Sequence, residues 1–189
     1  MVQIILIGAV AGVAGALLFL SPVSGAVLAF PLFLLCGLPI AIASLGWSLL
    51  SGVIAGAVAV IIAFAIASPF GAIVYLAMFV APLLWMSRLA GLSRQTGPDE
   101  ADIEWYPIGR ILFEGALAAA LGTIVAGFVI GYDPEPFIGE VTEQLVNWLA
   151  MSPGAVPPPT AADIEPYVRF NVLALPFTVP AILGFVLVL

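Results

Sequence analysis

The sequence predicts an all-α integral membrane protein: a bundle of about six transmembrane helices with one amphipathic helix at its outer surface. Of its 189 residues, 63% are hydrophobic and only 8% are charged, whereas a soluble domain has about 25% charged residues. Residues 1–87 contain no Asp, Glu, Lys or Arg. A water-soluble fold cannot cover every face of so long an apolar stretch, but lipid tails can solvate it.

Apolar runs separated by Ser, Pro and Gly define the predicted spans of a single transmembrane domain over residues 1–189. Each span requires about 20 residues, because a helix rises ~1.5 Å per residue across a hydrocarbon core ~30 Å thick. No basic residue precedes the first run, so we expect a retained span there and not a cleaved signal peptide. The last run ends without a charged flank, and we expect the gene product to continue beyond it. The predicted spans are residues 4–20, 26–45, 49–67, 70–86, 108–131 and 167–189.

Three of the four arginines determine the predicted orientation. Arg88, Arg94 and Arg110 flank the connection of residues 87–107, which the positive-inside tendency places in the cytoplasm. Counting spans then places the N-terminus in the cytoplasm and the acidic connection of residues 132–166 outside. Abundant Ala, Gly and Pro, with no Lys, indicate a GC-rich bacterial genome. The predicted location is therefore the bacterial inner membrane, which the chain crosses several times.

Within the outer connection, the pattern of residues predicts a surface helix. Apolar residues recur there at helical spacing, with polar residues on the opposite face. Asp133 and Pro134 are typical of a helix start, because Asp caps free N–H groups and Pro suits the first helical position. The apolar face consists of Phe137, Ile138, Val141, Leu145, Trp148 and Leu149.

Small residues recur every four positions along three of the spans. Such stripes let helix backbones approach closely, where dispersion replaces the missing hydrophobic driving force. We expect them to pack the bundle internally; the alternative is docking onto other membrane proteins through these faces. The stripes are Gly8, Gly12 and Ala16, then Gly52 and Gly56, and finally Gly127 and Gly131.

Arg110 and Glu114 form the first candidate site. They are one helical turn apart, so they share a face and can pair. Glu114 lies about 9 Å into the fifth span, at ~1.5 Å per residue, where a charge is costly unless it is partnered. Two interpretations remain open, a ligand-binding intramembrane pair or an interfacial pair that fixes the position of the helix.

Prolines within two spans form the second candidate site. Pro31 and Pro39 interrupt span two, and Pro176 and Pro180 interrupt span six, where Asn171 adds polarity. Each proline leaves the carbonyl four residues earlier without its usual N–H partner. Broken helices in membranes often line a polar cavity, although proline kinks also occur in spans without a ligand.

The composition argues against several classes of protein. The chain has no His and no Lys, so it cannot form a Ser-His or Cys-His pair or a Walker-type phosphate loop. The spacing required for metal ligands is missing as well. Four arginines form no basic patch for nucleic acid. We therefore predict a protein that is not an enzyme, has no cofactor or metal, and has the lipid bilayer as its main partner.

The run Glu104-Trp105-Tyr106-Pro107-Ile108-Gly109-Arg110, after an apolar four-helix start with Leu45-Gly46-Trp47, resembles the YybS-like bacterial membrane proteins of unknown function. The alphaproteobacterial branch is the most similar. This family is similar in architecture to the substrate-binding membrane subunits of energy-coupling-factor transporters. The resemblance implies a helical bundle with a ligand pocket toward the outside and partner proteins that hydrolyse ATP.

Two functions are consistent with these observations. The first is a non-enzymatic, solute-binding transporter subunit, for which we expect an enclosed, outward-facing cavity lined by spans two, five and six. The second is a membrane scaffold or interaction protein for envelope assembly, for which we expect a filled bundle and Glu114 on a partner-binding surface.

Overall fold

Six helical segments of the structure, a computed structural model, are long and apolar enough to cross a membrane. The structure describes residues 1–24, 28–95, 103–150 and 160–188. The all-α architecture is therefore confirmed, and the chain is a multi-pass integral membrane protein. The spans, numbered one to six, are Val2–Phe19, Ala29–Gly46, Leu49–Ile66, Pro69–Ala90, Ile108–Ile130 and Ala161–Leu187.

Spans two and four are each interrupted. Span two consists of two helices with a break at residues 35–37, and span four contains a π-helix of five residues, Leu76–Val80. The helices are α1 (Val2–Phe19), α2 (Ala29–Leu34), α3 (Leu38–Gly46), α4 (Leu49–Ile66), α5 (Pro69–Tyr75), α6 (Ala81–Ala90), α7 (Ile108–Ile130), α8 (Pro134–Ala150) and α9 (Ala161–Val188); a 3₁₀ turn covers Ser21–Ser24.

Several helix ends follow from local chemistry. The Ser48 and Ser68 hydroxyls accept hydrogen bonds from the N–H groups of Ser51 and Gly71, and so cap α4 and α5. Gly131 follows α7 with a φ of +68°, a left-handed conformation that costs glycine little. The predicted amphipathic helix is present as α8, and Asp133 accepts the Glu135 N–H at its start.

The predicted cytoplasmic connection contains a short β-hairpin that the sequence did not indicate. Strands β1 (Ser93–Gln95) and β2 (Ile103–Trp105) pair antiparallel, with Arg94 opposite Glu104.

Some predicted features lie outside the described residues. They are the start of span two at residues 26–27, parts of both long connections at residues 96–102 and 151–159, and the final residue, Leu189.

The chain forms two compact units. The bundle unit comprises Met1–Ile130 with Pro180–Leu189, and the hairpin unit comprises Gly131–Val179. In the hairpin unit, α8 packs against the first half of α9 through a small apolar cluster. The buried members of this cluster are Ile138, Ile164, Val168 and Val172.

Two of the three predicted stripes of small residues pack inside the bundle unit, whereas Gly131 of the third lies past the end of α7 with nothing within 4 Å of an added Cβ among the described residues. A Cβ on Gly8 would lie 2.6 Å from the Ser51 carbonyl oxygen, and one on Gly12 would lie 2.5 Å from that of Ala55. Spans one and three therefore lie parallel with their backbones touching. The Ser51 hydroxyl also donates a hydrogen bond to the Ile4 carbonyl oxygen.

Spans three, four and five alternate in direction. Gly52 and Gly56 face Leu84 and Val80, while Gly115 faces Met86. Together with the parallel packing of spans one and three, these contacts bring the start of span one to the same end of the unit as the helix ends that carry Arg88 and Arg110. We call this the arginine end. Its assignment to the cytoplasm stays a prediction.

Candidate functional site

An apolar groove of about 550 Å³ is the most distinctive cavity in the bundle unit. It is lined by residues of spans two, four and five and of the last part of span six. Leu35 and Gly37, at the break in span two, face it together with Phe79 from the π-helix of span four. Among the described lining residues, Ser87 is the only one with a polar side chain. The groove therefore suits hydrocarbon and offers almost nothing to a polar ligand.

The backbone at the break in span two is closed by hydrogen bonds. Pro39 has no N–H for the Leu35 carbonyl, which instead accepts the Leu38 N–H at 3.0 Å. The next carbonyl, that of Cys36, accepts the Tyr75 hydroxyl at 3.2 Å. Pro31 lies inside α2 and lines the groove. The break thus shapes the groove without exposing these two carbonyls to lipid.

Tyr75 is positioned by its neighbours in the core. Its ring is fully buried and stacks on Phe19 with centroids 4.1 Å apart. A Cβ on Gly15 would lie 3.0 Å from both the Tyr75 hydroxyl oxygen and the Cys36 carbonyl oxygen. Only glycine leaves room there for the hydrogen bond between spans two and four.

The π-helix begins directly after Tyr75. Phe79, within it, contacts Phe33 edge-on at 5.4 Å between ring centroids. π-helical segments are rare and are frequently found at functional sites. The groove therefore lies between two irregular helical segments, residues 35–37 and Leu76–Val80.

The structure brings Arg110 and Glu114 together and adds two further partners. The Arg110 Nε lies 3.5 Å from a Glu114 carboxylate oxygen. Shorter bonds of 2.9 Å come from the indole N–H of Trp85 and the hydroxyl of Tyr106. The Glu114 side chain is 22% exposed and that of Arg110 is 68% exposed. Glu114 therefore joins span four to the start of span five and keeps its charge compensated at the arginine end.

Helical spacing indicated the arginine partner of Glu114 but missed Trp85, because that residue is 29 positions away in the sequence. Tyr106 lies only eight residues before Glu114, but outside the helix, so the periodicity did not indicate it. One signal was available. Both are aromatic residues with a hydrogen-bond donor, and they lie where two spans are predicted to meet the same membrane interface.

A second cavity, of about 400 Å³, lies beside this cluster, where the β-hairpin meets the start of α7. We call it the arginine pocket. In its wall, Arg94 pairs with Glu104 at 2.6 Å, and the guanidinium of Arg110 lies 5.7 Å from the centre of the Tyr106 ring. Desolvation, and then the hydrogen bond to Glu114, raise the pKa of Tyr106. The lining residues are Leu92, Ser93, Arg94, Glu104, Trp105, Tyr106, Pro107 and Arg110.

The candidate residues of span six do not contribute to the groove. Pro176 frees the carbonyl of Val172, four residues earlier, and the Tyr132 hydroxyl donates to this oxygen at 2.7 Å. Asn171 is exposed, and its side chain donates to the Tyr167 carbonyl of its own helix. Neither Pro39 nor Asn171, Pro176 or Pro180 is among the described residues that line the groove.

The six spans, the apolar groove and the charged cluster at one end define a multi-pass membrane protein with a groove on the surface of its bundle unit. No protein-family model, no curated protein and no solved structure matches the chain. The described residues also hold no group of three or more His, Cys, Asp or Glu side chains able to bind a metal ion.

Proposed function

We propose that this chain is a non-enzymatic subunit of a transporter in the bacterial inner membrane, and that it binds a hydrophobic solute in the groove. The observation that carries the proposal is the groove itself, which lies between the break of span two and the π-helix of span four. A volume of about 550 Å³ is within the range of ligand sites.

The lining of the groove limits the chemistry of the solute. A polar molecule would lose its hydration there without gaining hydrogen bonds, which costs several kcal/mol for each polar group. An alkyl chain or a similar hydrocarbon loses nothing comparable. The part of the solute that occupies the groove is therefore hydrocarbon.

The resemblance to YybS-like proteins, and through them to energy-coupling-factor subunits, supports a transporter role with a separate ATP-hydrolysing partner. That architecture led us to expect an outward-facing pocket. The observed groove instead reaches the arginine end, where it is lined by Leu45, Ala90 and Ile111. Under the predicted orientation, this end faces the cytoplasm. The proposal therefore takes the position of the binding site from the groove and not from the resemblance.

The scaffold alternative has less support. It was motivated by stripes of small residues that would be free to dock other membrane proteins. Gly8 and Gly12 instead contact span three, and Gly52 and Gly56 contact side chains of spans two and four. These faces are occupied by the chain's own helices.

The groove can be tested by filling it. Ala41 lines the groove, and Ala57 is an exposed alanine on α4, so Ala41→Phe and Ala57→Phe form a matched pair. Each variant would be purified in mild detergent from native membrane, and its bound small molecules and proteins would be identified by mass spectrometry. We expect a hydrophobic compound and an ATPase with the wild type and Ala57→Phe, and loss of the compound alone with Ala41→Phe. Equal compound content in all three would refute the groove as the binding site.

A further inference from the structure

The groove and the arginine pocket lie next to each other along α7. Arg110 lines the pocket and the next residue, Ile111, lines the groove. At the same end, Ala90 is the last residue of α6, and Leu45 is the next to last residue of α3. A hydrocarbon chain that fills the groove and extends past Leu45 and Ala90 would therefore emerge at the end of the unit that carries the arginine pocket.

The two described glutamates at this end already have donor partners. The described ionisable side chains here are those of Arg88, Arg94, Arg110, Glu104 and Glu114, and Asp99, Glu100 and Asp102 of the same connection lie outside the described residues, so the inference rests on Arg110 and not on net charge. Glu104 is paired with Arg94 at 2.6 Å. Glu114 accepts hydrogen bonds from Trp85 and Tyr106 and lies 3.5 Å from Arg110. Both carboxylates are thus already compensated by neighbouring donors.

Arg110 is the cation best placed to bind an anion. Its contact with Glu114 uses only Nε, at 3.5 Å, which is longer than a strong charge-assisted hydrogen bond. A guanidinium carries four more N–H donors on its two Nη atoms, and these have no acceptor among the residues that the structure describes. The side chain is 68% exposed. A phosphate or carboxylate in the pocket would therefore find a forked donor beside the mouth of the groove.

We infer that the solute is an anionic amphiphile whose hydrocarbon chain occupies the groove and whose phosphate or carboxylate head is bound in the arginine pocket by Arg110. This inference rests on the proposed function, because it assigns the chemistry of the molecule that the groove binds. A membrane phospholipid and a free single-chain acid share this chemistry. They differ in whether the ligand is already part of the bilayer.

The test compares two ligands of equal chain length, hexadecanoate and uncharged hexadecanol. The full chain would be placed in nanodiscs of zwitterionic phosphatidylcholine, and the affinity for each ligand would be measured. We expect hexadecanoate to bind at least about tenfold more tightly, because its carboxylate gains charge-assisted hydrogen bonds from Arg110 that the hydroxyl of hexadecanol does not. Arg110→Gln should remove this preference and leave the affinity for hexadecanol unchanged. Arg169→Gln, in the hairpin unit, is the control and should change neither affinity.

Two further variants keep the result interpretable. Arg94→Gln leaves Glu104 without its partner, so it should also weaken hexadecanoate binding even if Arg110→Gln proves unstable. Ala41→Phe should weaken both ligands equally. If the wild type binds both ligands equally and Ala41→Phe abolishes both, the anionic head is refuted and the proposed function stands. If Ala41→Phe affects neither ligand, the groove is not the site and both proposals fail.

The source of the ligand is distinguished by a second set of nanodiscs that contain phosphatidylglycerol. Retention of phosphatidylglycerol after transfer to detergent, reduced in Arg110→Gln, identifies a membrane phospholipid as the natural ligand. Binding of hexadecanoate without any retained phosphatidylglycerol identifies a single-chain acid instead. Either result supports an anionic amphiphile, while retention of phosphatidylcholine in preference to both contradicts it.

Discussion

In each unit of this protein a tyrosine hydroxyl donates a hydrogen bond to a backbone carbonyl near a proline, but in different surroundings. In the bundle unit, Tyr75 donates to the Cys36 carbonyl at 3.2 Å and is completely buried. In the hairpin unit, Tyr132 donates to the Val172 carbonyl at 2.7 Å, and its side chain is 38% exposed. The same type of hydrogen bond, from a tyrosine hydroxyl to a backbone carbonyl, is therefore buried in the bundle unit and partly exposed in the hairpin unit.

The contacts that stabilise the inside of each unit also differ. The bundle unit relies on shape, because Gly8, Gly12 and Gly15 let backbones and a tyrosine approach to contact distance. The hairpin unit combines a small apolar cluster with exposed polar pairs, including the forked pair in which Arg169 donates to both carboxylate oxygens of Glu135. Steric changes should therefore damage the bundle unit most.

The largest effect is expected from Gly12→Leu. A Cβ at this position would lie 2.5 Å from the Ala55 backbone oxygen, which cannot move without separating spans one and three. We expect a loss of about 3 kcal/mol or more, measured as the free energy of unfolding by dodecyl sulfate titration in mixed micelles. Gly139→Leu is the matched control in the hairpin unit, where no atom lies within 4 Å of an added Cβ. Equal effects of the two variants would contradict the comparison.

Tyr75→Phe should have the next largest effect. The substitution preserves the stacked ring but removes the hydrogen bond that the buried Cys36 carbonyl accepts from the Tyr75 hydroxyl. We expect the free energy of unfolding to fall by about 1–3 kcal/mol. The same titration measures it. Tyr167→Phe removes a hydroxyl from a side chain that is 73% exposed, and should be neutral. A neutral Tyr75→Phe would show that the break in span two needs no partner from span four.

Glu114→Gln, in the bundle unit, is compared with Glu135→Gln in the hairpin unit, where Glu135 pairs with Arg169. An amide keeps one acceptor oxygen, and its NH₂ group cannot accept, so one of the bonds from Trp85 and Tyr106 is weakened. We expect the melting temperature to fall by about 2–4 °C. Glu135→Gln, on a side chain that is 64% exposed, should cause a smaller fall. If solute and partner binding are also unchanged in Glu114→Gln, the cluster serves packing and not binding.

The smallest and most specific effect is expected from Tyr132→Phe. The lost bond to the Val172 carbonyl should cost about 0.5–1.5 kcal/mol. In a Pro176→Ala background, the restored N–H at position 176 can bond this carbonyl, so Tyr132→Phe should then cost almost nothing. A double-mutant cycle measures this coupling. Additive effects would show that Tyr132 does not compensate for the proline.

The sequence predicted the spans far better than the groove. Apolar runs ending at Ser48 and Ser68 are close to the observed ends of spans two and three, because the length of a membrane-crossing helix is set by the bilayer. Of the four prolines predicted to interrupt spans, only Pro39 lies beside a break, at the start of α3. Pro31 lies within α2, and Pro176 and Pro180 lie within α9, which is continuous, so the predicted interruption of span six is wrong. Which residue closes the break was not visible, because Tyr75 is 39 residues from Cys36 and the contact depends on how two spans pack.

Other features have no clear signature in the sequence. The π-helix at Leu76–Val80 consists of ordinary apolar residues, so its composition does not distinguish it from the α-helices on either side. The β-hairpin is short, with only three residues in each strand, and Arg94 and Glu104 read equally well as loop residues. Arg110 and Glu114 were found because their spacing is local.

The contact between spans one and three has a consequence for biosynthesis. Ser51, the partner of Gly8, is synthesised 43 residues later, which takes roughly 2–9 s at a typical translation rate of about 5–20 residues per second. During that time the first span has emerged without its main neighbour. It must remain stable among lipids or the insertion machinery with its glycine face uncovered, and a helix without charged side chains is suited to that interval.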